Sequence, residues 1–460
     1  MRGRAVFPRT APARTADPRS PPAMWQQPTS LFTDHYELTM LQASLQAGTA
    51  HRRSVFEVFA RRLPEGRRYG VVAGTGRILE GLEHFRFDAE QLAFLERANV
   101  VDRQTLEYLA DFRFTGDIHG YAEGEIYFPG SPVLVVESTF AEACVLETFI
   151  LSVLNHDSAI ASAASRMCAA AGSRPCVEMG SRRTHEESAV AAARAAIIAG
   201  FASTSNLEAG LRYGVRTIGT AAHAFTLLHD SERAAFEAQV ASFGADTTLL
   251  VDTYDVEQGV RTAVEVAGPE LGAVRLDSGD LVEQARWVRA LLDDLGNENT
   301  RILVTSDLDE HAIAALQSAP VDAYGVGTAL VTGSGAPTAS MVYKLVSRHN
   351  NDGVWVDVAK TAKSKGSVGG RKFALRRLNE RGRATAELIG VGEIPLADGN
   401  DRLLLREFVR GGQVLPGWTG AEGVARAAQR HRDSIQEMPG VARGLHRGEP
   451  VIPTEYVDEY

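Results

Sequence analysis

Between residues 175 and 335 the chain repeats one pattern: a short β-branched or aliphatic run, a few small or chemically capable residues, then a helical stretch. Cys176-Val-Glu-Met ends at Gly180-Ser-Arg182-Arg183, followed by an alanine-rich helix from Glu186 to Gly200 and the segment Phe201-Ala-Ser-Thr204-Ser205-Asn. Val215-Arg-Thr-Ile ends at Gly219-Thr220-Ala-Ala-His223, and Thr248-Leu-Leu-Val at Asp252-Thr-Tyr-Asp255. Ala273-Val-Arg275-Leu ends at Asp277-Ser-Gly-Asp280, Ile302-Leu-Val-Thr at Ser306-Asp307, and Ala323-Tyr-Gly-Val at Gly327-Thr328. Successive strand ends at His223, Asp252, Asp277, Asp307 and Gly327 are 29, 25, 30 and 20 residues apart, the size of a strand–helix unit. Such a chain folds as a parallel sheet, either open and doubly wound or closed as a barrel, and both architectures bind ligands at the carboxyl ends of the strands. No G-x-G-x-x-G follows an early strand, so the expected class is α/β with an irregular or incomplete (β/α) barrel.

The flanks depart from this repeat. Residues 24–138 hold an alternating strand at Val55-Phe-Glu-Val-Phe and helical periods over Ile78 to Phe85 and Ala89 to Arg97. Gly116-Asp-Ile-His-Gly-Tyr and Glu125-Ile-Tyr-Phe read as one hairpin, and together these elements predict an N-terminal α+β domain. One helix, Thr139 to Ala171, apolar at Phe140, Ala143, Leu146, Ile150 and Leu154, is expected to lead into a barrel domain over residues 139–340. Strands at Met341 to Ser347 and Gly353 to Val358 precede a basic, glycine-containing loop. The segment 341–460 is expected to pack back on the N-terminal domain, so that both chain ends build the α+β part.

Residues 1–23 contain five arginines, five prolines and one acidic residue with no apolar period. They predict a disordered extension rather than a secretory signal, and Met24 reads as an alternative start. The net charge of −10 offers no general attraction to nucleic acid or an anionic membrane, so an anionic ligand must be met by a local positive cluster. No run of about 18 apolar residues is present, and no membrane span is expected. Cys144, Cys168 and Cys176 form no C-x-x-C pair and read as reduced thiols of a cytoplasmic protein.

Four aspartates at neighbouring strand ends, Asp252, Asp277, Asp280 and Asp307, would concentrate negative charge at one mouth. That is costly unless a divalent cation or a hydroxyl-rich ligand shares the site, and magnesium and ribose hydroxyls meet both needs. Asp252 and Asp280 are the expected metal ligands, although a single aspartate at such a position serves equally as a helix N-cap. Gly325-Val-Gly327-Thr328 and Thr332-Gly-Ser-Gly-Ala336 offer backbone N–H groups to phosphate, or make plain turns. Arg182, Arg183 and Arg275 stand at strand ends, where a guanidinium suits carboxylate or phosphate, or else pairs with one of the acids. His223 is a candidate nucleophile or phosphate acceptor, a lone histidine being otherwise structural.

Taken together with Phe32-Thr-Asp-His-Tyr36-Glu-Leu-Thr-Met and Phe56-Glu-Val-Phe-Ala-Arg-Arg-Leu-Pro, these segments resemble the nicotinate phosphoribosyltransferases over most of residues 30–375. The resemblance implies a type II phosphoribosyltransferase fold with active sites shared at a homodimer interface. It implies that nicotinate, phosphoribosyl pyrophosphate, ATP and water give nicotinate mononucleotide, pyrophosphate, ADP and phosphate in NAD salvage, with magnesium as cofactor. By the same resemblance His223 is phosphorylated by ATP, and Arg275 and Thr220 contact the nicotinate carboxylate or its surroundings. Tyr36, from the neighbouring subunit, would stack on the pyridine ring. Asp277, Asp307, Gly327 and Thr328 would serve ribose and phosphates, and Arg182 and Arg183 the pyrophosphate or nicotinate. Ser205 stands where nicotinamide-using relatives carry an aspartate, which favours the acid over the amide. Two departures accompany these matches: Val368-Gly369 replaces a Pro-Gly in the basic loop Lys360 to Lys372, and Ala224 replaces the serine usual after the histidine. Three other readings remain: a nicotinamide-using phosphoribosyltransferase, a non-catalytic phosphate-binding barrel, and a barrel isomerase or aldolase. The last would want a strand-end lysine, which these strand ends lack.

Overall fold

The computed structural model describes residue 25, residues 27–360 and residues 367–457. The extension over residues 1–23 and the centre of the basic loop lie outside the described residues.

The repeat forms six parallel strands: β1 (Cys176–Glu178), β2 (Ser203–Thr204), β3 (Thr248–Leu250), β4 (Ala273–Leu276), β5 (Arg301–Val304) and β6 (Ala323–Val326). Their order in the sheet is β2-β1-β6-β5-β4-β3. Val304 sits level with Leu276 on one side and Tyr324 on the other, and Tyr324 with Cys176. The sheet curls into a half-barrel whose edges, β2 and β3, do not pair. Val274, Leu276, Ile302, Val304, Tyr324 and Val326 are all buried, as strands covered on both faces require. The Glu186–Ile198, Val256–Ala267 and Leu281–Asp294 helices supply much of the cover through Ala192, Ala195, Val260, Ala263, Ala285 and Val288.

The run Val215 to Ile218 is not a strand. Its one ladder contact is a parallel bridge between Thr217 and Thr204, because β2 is only two residues long and gives it nothing further to pair with. The chain from Gly219 to Ala222 therefore crosses the open side of the half-barrel before the His223–Leu228 helix begins.

The expected single helix after Thr139 is two, Phe140–Cys144 and Glu147–Ala171, separated at Val145 and Leu146. This stretch is long and apolar enough to cross a bilayer, but 67% of its most apolar window is buried inside the protein, as befits a core element. Against it lies a seven-stranded sheet ordered Trp355–Asp357, Met341–His349, Arg53–Ala60, Leu134–Thr139, Asp117–Tyr121, Leu405–Arg410 and Gln413–Val414. Segments from both ends of the chain alternate within it: Ser54 pairs with Arg348, and Ile118 with both Val136 and Val409.

The expected hairpin does not form. Asp117–Tyr121 pairs with Leu134–Thr139 and Leu405–Arg410, whereas Ile126–Tyr127 pairs with Gly70–Val71. Gly124 turns the chain away between them at φ +84°, donating from its N–H to Val72 O at 2.8 Å. A Cβ there would stand 2.1 Å from Ala427 O, so only glycine fits.

The Glu186–Ile198 helix is held in register by Arg194, which is fully buried, donates to both Glu123 oxygens at 2.7 and 2.6 Å, and lies over the Tyr213 ring. Arg194→Ala leaves Glu123 without its guanidinium partner and should cost ~3–5 kcal/mol in urea unfolding, while removing both charges for apolar residues of similar volume should cost far less.

Candidate active site

Beyond the level row of the half-barrel, the strand ends enclose a polar cleft of about 190 Å³. Met179, Arg182 and Arg183 from the end of β1, Arg275 and Asp277 from β4, Thr305, Ser306 and Asp307 after β5, and Gly325, Gly327 and Thr328 from β6 line it. Arg182 and Arg183 are exposed and their side chains have no ionic or hydrogen-bonding partner among the described residues, so both guanidiniums are available to an anion.

Arg275 is the buried hub. Its Nε donates to Thr305 Oγ1 at 2.9 Å, Nη1 to Thr220 Oγ1 at 3.0 Å and Ala221 O at 3.1 Å, and Nη2 to Asp277 Oδ1 at 3.0 Å. Four of its five N–H groups are thereby committed to the protein and one is left for a ligand. The same contacts tie the crossing segment 219–222 to β4. Burial alone would raise the Asp277 carboxyl, but the Thr305 hydroxyl, Arg275 and His223 hold it below the usual carboxylate range.

His223 opens its helix at the rim, its side chain about two-fifths exposed, with Nε2 3.0 Å from Oδ1 of the buried Asp252. The other Asp252 oxygen accepts from Asp277 N at 2.8 Å and Ser278 Oγ at 2.9 Å. One carboxylate thus orients the imidazole, leaves Nδ1 as the nitrogen free of the pair, and ties the histidine to the β4 end.

Both expected cation ligands also accept hydrogen bonds from the protein. Asp252 spends both oxygens on protein donors, and Asp280 is exposed and caps the Leu281–Asp294 helix by accepting from Glu283 N at 3.2 Å. Among the described residues no group of three or more His, Cys, Asp or Glu side chains is arranged to hold a metal ion. Asp307 lines the cleft, and its carboxylate has no hydrogen-bonding or ionic partner among the described residues. Ser205, just after β2, is not among the residues that line the cleft; its N–H donates to Glu178 O at 2.8 Å. Tyr36 is apart from this cleft, exposed on the His35–Gln46 helix; partial desolvation of its hydroxyl, together with the nearby Glu147 and Glu37 carboxylates, pushes that hydroxyl well up.

Several contributors were not legible in the sequence. Thr305 bridges Arg275 and Asp277, yet reads there as the last residue of a strand. Ser306 adopts φ +135°, a strained conformation at the cleft that no residue type announces. Glu178 is buried behind the cleft, accepts from Thr204 Oγ1 and Gly180 N, and is raised by burial. A better signal exists for Gly325, since a Cβ there would come 2.5 Å from Thr305 Cγ2 and 2.8 Å from Met179 Sδ.

The architecture matches that of the human nicotinic acid phosphoribosyltransferase crystal structure with a TM-score of 0.78 over 92% of this chain and 97% of that one, at 24% identity. The fold is therefore that of a phosphoribosyltransferase. Residues 31–155 match the family described as nicotinate phosphoribosyltransferase N-terminal domain. A nicotinate phosphoribosyltransferase of Mycobacterium tuberculosis is 56% identical over 441 residues, spanning 94% of this chain and 96% of that protein. The Bacillus subtilis nicotinate phosphoribosyltransferase is 38% identical over 363 residues, 76% of this chain and 74% of that protein. The chain belongs to the nicotinate phosphoribosyltransferase family.

Proposed function

We propose that the protein joins nicotinate to phosphoribosyl pyrophosphate, releasing pyrophosphate and forming nicotinate mononucleotide for NAD salvage, with hydrolysis of ATP to ADP and phosphate coupled through His223. The observation that carries this reading is the rim imidazole fixed through Nε2 to the buried Asp252, beside a cleft with two unpaired arginines. Nδ1 of His223 takes the γ-phosphoryl group as ADP leaves, and water later returns the imidazole by releasing phosphate. In the transfer step the bond from ribose C1 to pyrophosphate breaks and the pyridine nitrogen bonds to C1 through an oxocarbenium-like state. Arg182 and Arg183 hold the departing anion, and Asp277 and Asp307 take ribose hydroxyls beside Gly327 and Thr328. The free N–H of Arg275, with Thr220, meets the nicotinate carboxylate. Ser205 puts no carboxylate against that anion, which favours nicotinate over nicotinamide.

Magnesium suits this cleft only as a cation shared with substrate, because Asp307 and Asp277 supply just two carboxylates, one with an oxygen already held by Arg275 and Thr305, and the pyrophosphate would complete the shell. When bound it neutralises charge on the leaving group. A homodimer fits the exposed apolar residues: Leu207 and Leu211 on the helix after β2, Leu227 and Leu228 on the His223–Leu228 helix, and Phe32, Tyr36 and Met40 near the N-terminal end. Three free thiols suit a cytoplasmic protein. An assay with labelled nicotinate, nicotinamide and quinolinate, each with magnesium and phosphoribosyl pyrophosphate and with or without ATP, tests the proposal. The expected result is product from nicotinate, stimulated by ATP, and no product from any base would remove the reading.

A further inference from the structure

A second polar cleft, of about 390 Å³, is lined by residues that follow two positions of the strand-end cleft. Asp309, Glu310 and His311 come just after Asp307, and Ala329, Ser334 and Gly335 just after Thr328. The rest of its wall comes from distant parts of the chain: residues 65–67, Arg166 of the Glu147–Ala171 helix, and Leu445 and Arg447. No step of the proposed reaction uses it.

The buried part of this wall holds more positive than negative charge. Arg67 and Arg166 are each only 6% exposed, and they share one carboxylate, Glu310, itself 3% exposed. Arg67 Nη1 donates to Glu310 Oε1 at 2.9 Å, and Arg166 Nε donates to the same oxygen at 3.1 Å. Glu310 Oε2 accepts from Ser334 Oγ at 2.5 Å, so both oxygens are used. No other carboxylate forms an ion pair with either guanidinium among the described residues. The remaining acids of the wall are engaged elsewhere: Asp309 caps the Glu310–Ala315 helix, accepting from His311 N at 2.9 Å and Ala312 N at 2.8 Å, and Glu65 pairs with Arg447 at the surface. One buried positive charge is thus left without a counter-ion, which is costly unless an anion joins it. The arginines also keep donors in reserve. Arg67 Nη2 donates to Gly333 O at 2.8 Å and Ser334 O at 3.4 Å, and Arg166 Nη2 to Leu445 O at 3.5 Å. Arg67 Nε and Arg166 Nη1 have no acceptor among the described residues, and neither atom is sealed from solvent. Arg194 and Arg376, buried elsewhere, also leave N–H groups unpaired, but theirs are sealed and no ligand can reach them.

We propose that this cleft is an oxyanion site separate from the strand-end cleft, taking inorganic phosphate or the phosphate group of a small ester. Two guanidiniums lining one space suit a tetrahedral anion, which accepts from both at once and supplies the missing negative charge. A bound anion ties the Arg67 segment and the Glu147–Ala171 helix to the two segments that lead out of the strand-end cleft through Glu310 and Ser334. The site stands whether or not His223 carries a phosphoryl group, because it shares no residue with that reading.

The test is equilibrium dialysis with labelled inorganic phosphate on the full chain carrying Arg182→Ala and Arg183→Ala, whose strand-end cleft has lost its two free guanidiniums. Saturable phosphate binding should persist there, and adding Arg166→Gln or Arg67→Gln should weaken it about tenfold or more. Each of these replacements leaves Glu310 with one arginine, so the buried pair becomes neutral and no acid is stranded. Should one variant not fold, the other decides. Arg166→Lys keeps the charge but not the fork and should fall between the parent and Arg166→Gln. In a second arm, ribose 5-phosphate competes with the label: displacement at a lower concentration than unlabelled phosphate identifies an ester as the ligand, and weaker or equal displacement identifies the free ion. No saturable binding in the Arg182→Ala, Arg183→Ala chain, or binding that Arg166→Gln and Arg67→Gln leave unchanged, overturns the proposal.

Discussion

Replacing His223 with alanine should lower the ATP-coupled rate about a hundredfold or more, the scale on which a lost nucleophile or proton-transfer group is felt, and leave a slow transfer indifferent to ATP. The reason is geometric. His223 opens the helix after the crossing segment rather than lying in the sheet, touches the cleft through Asp252 and the β4 end, and is not among the cleft-lining residues that include Arg182, Arg183, Arg275 and Asp307. Substrates can therefore still bind and react in the variant, but the imidazole nitrogen that accepts phosphate is gone. Initial rates with and without ATP, together with labelling by γ-phosphate-labelled ATP, check both halves of the claim. Equal coupled rates in variant and parent would refute the role.

Arg275→Ala should lower kcat/KM for nicotinate by about 10²–10³-fold, because truncating one member of a buried, hydrogen-bonded charge pair costs ~2–5 kcal/mol. The nicotinate KM should rise more than that for phosphoribosyl pyrophosphate, since Arg182 and Arg183 remain to hold phosphate. The side chain does two things at once. It offers one N–H to the ligand, and with its other four it fixes Thr220, Ala221, Thr305 and Asp277. Arg275→Lys keeps the charge but not the fork, so it should recover little. Steady-state kinetics with each substrate varied in turn distinguish the outcomes, and a larger rise for phosphoribosyl pyrophosphate would count against the placement of nicotinate.

Much of the cleft is readable from the chain because a doubly covered parallel strand is mainly apolar, so the polar residues that follow its apolar run mark the carboxyl end. Asp252, Asp277, Asp307 and Gly327 are found that way, and each lies next to the strand or turn the pattern indicates. What such a pattern cannot tell is which carboxylate a helix will claim. The Asp280-Leu-Val-Glu283 spacing has the form of an N-cap, and Asp280 makes that cap by accepting from Glu283 N. The hairpin expectation failed for a different reason. The true partner of Ile126–Tyr127 is Gly70–Val71, two residues with no period to detect, and Asp117–Tyr121 finds Leu405–Arg410 almost three hundred residues away. Local periodicity carries no record of pairing at that distance. Thr305 stayed hidden because a β-branched hydroxyl residue is as natural at the end of a strand as at the centre of a hydrogen-bond network.

The interleaved seven-stranded sheet also sets an order of events during synthesis. Arg53–Ala60 lies between Leu134–Thr139, made soon after it, and Met341–His349, which leaves the ribosome only after the whole half-barrel. Until then one edge of Arg53–Ala60 stands open, a template for wrong pairing, while the strands from Cys176 to Val326 already have all their neighbours. The half-barrel can therefore be complete on the nascent chain before the sheet built from both termini has closed. A chain stalled near residue 340 would carry a nearly finished cleft beside an unpaired strand, and chaperone dependence should concentrate at that stage.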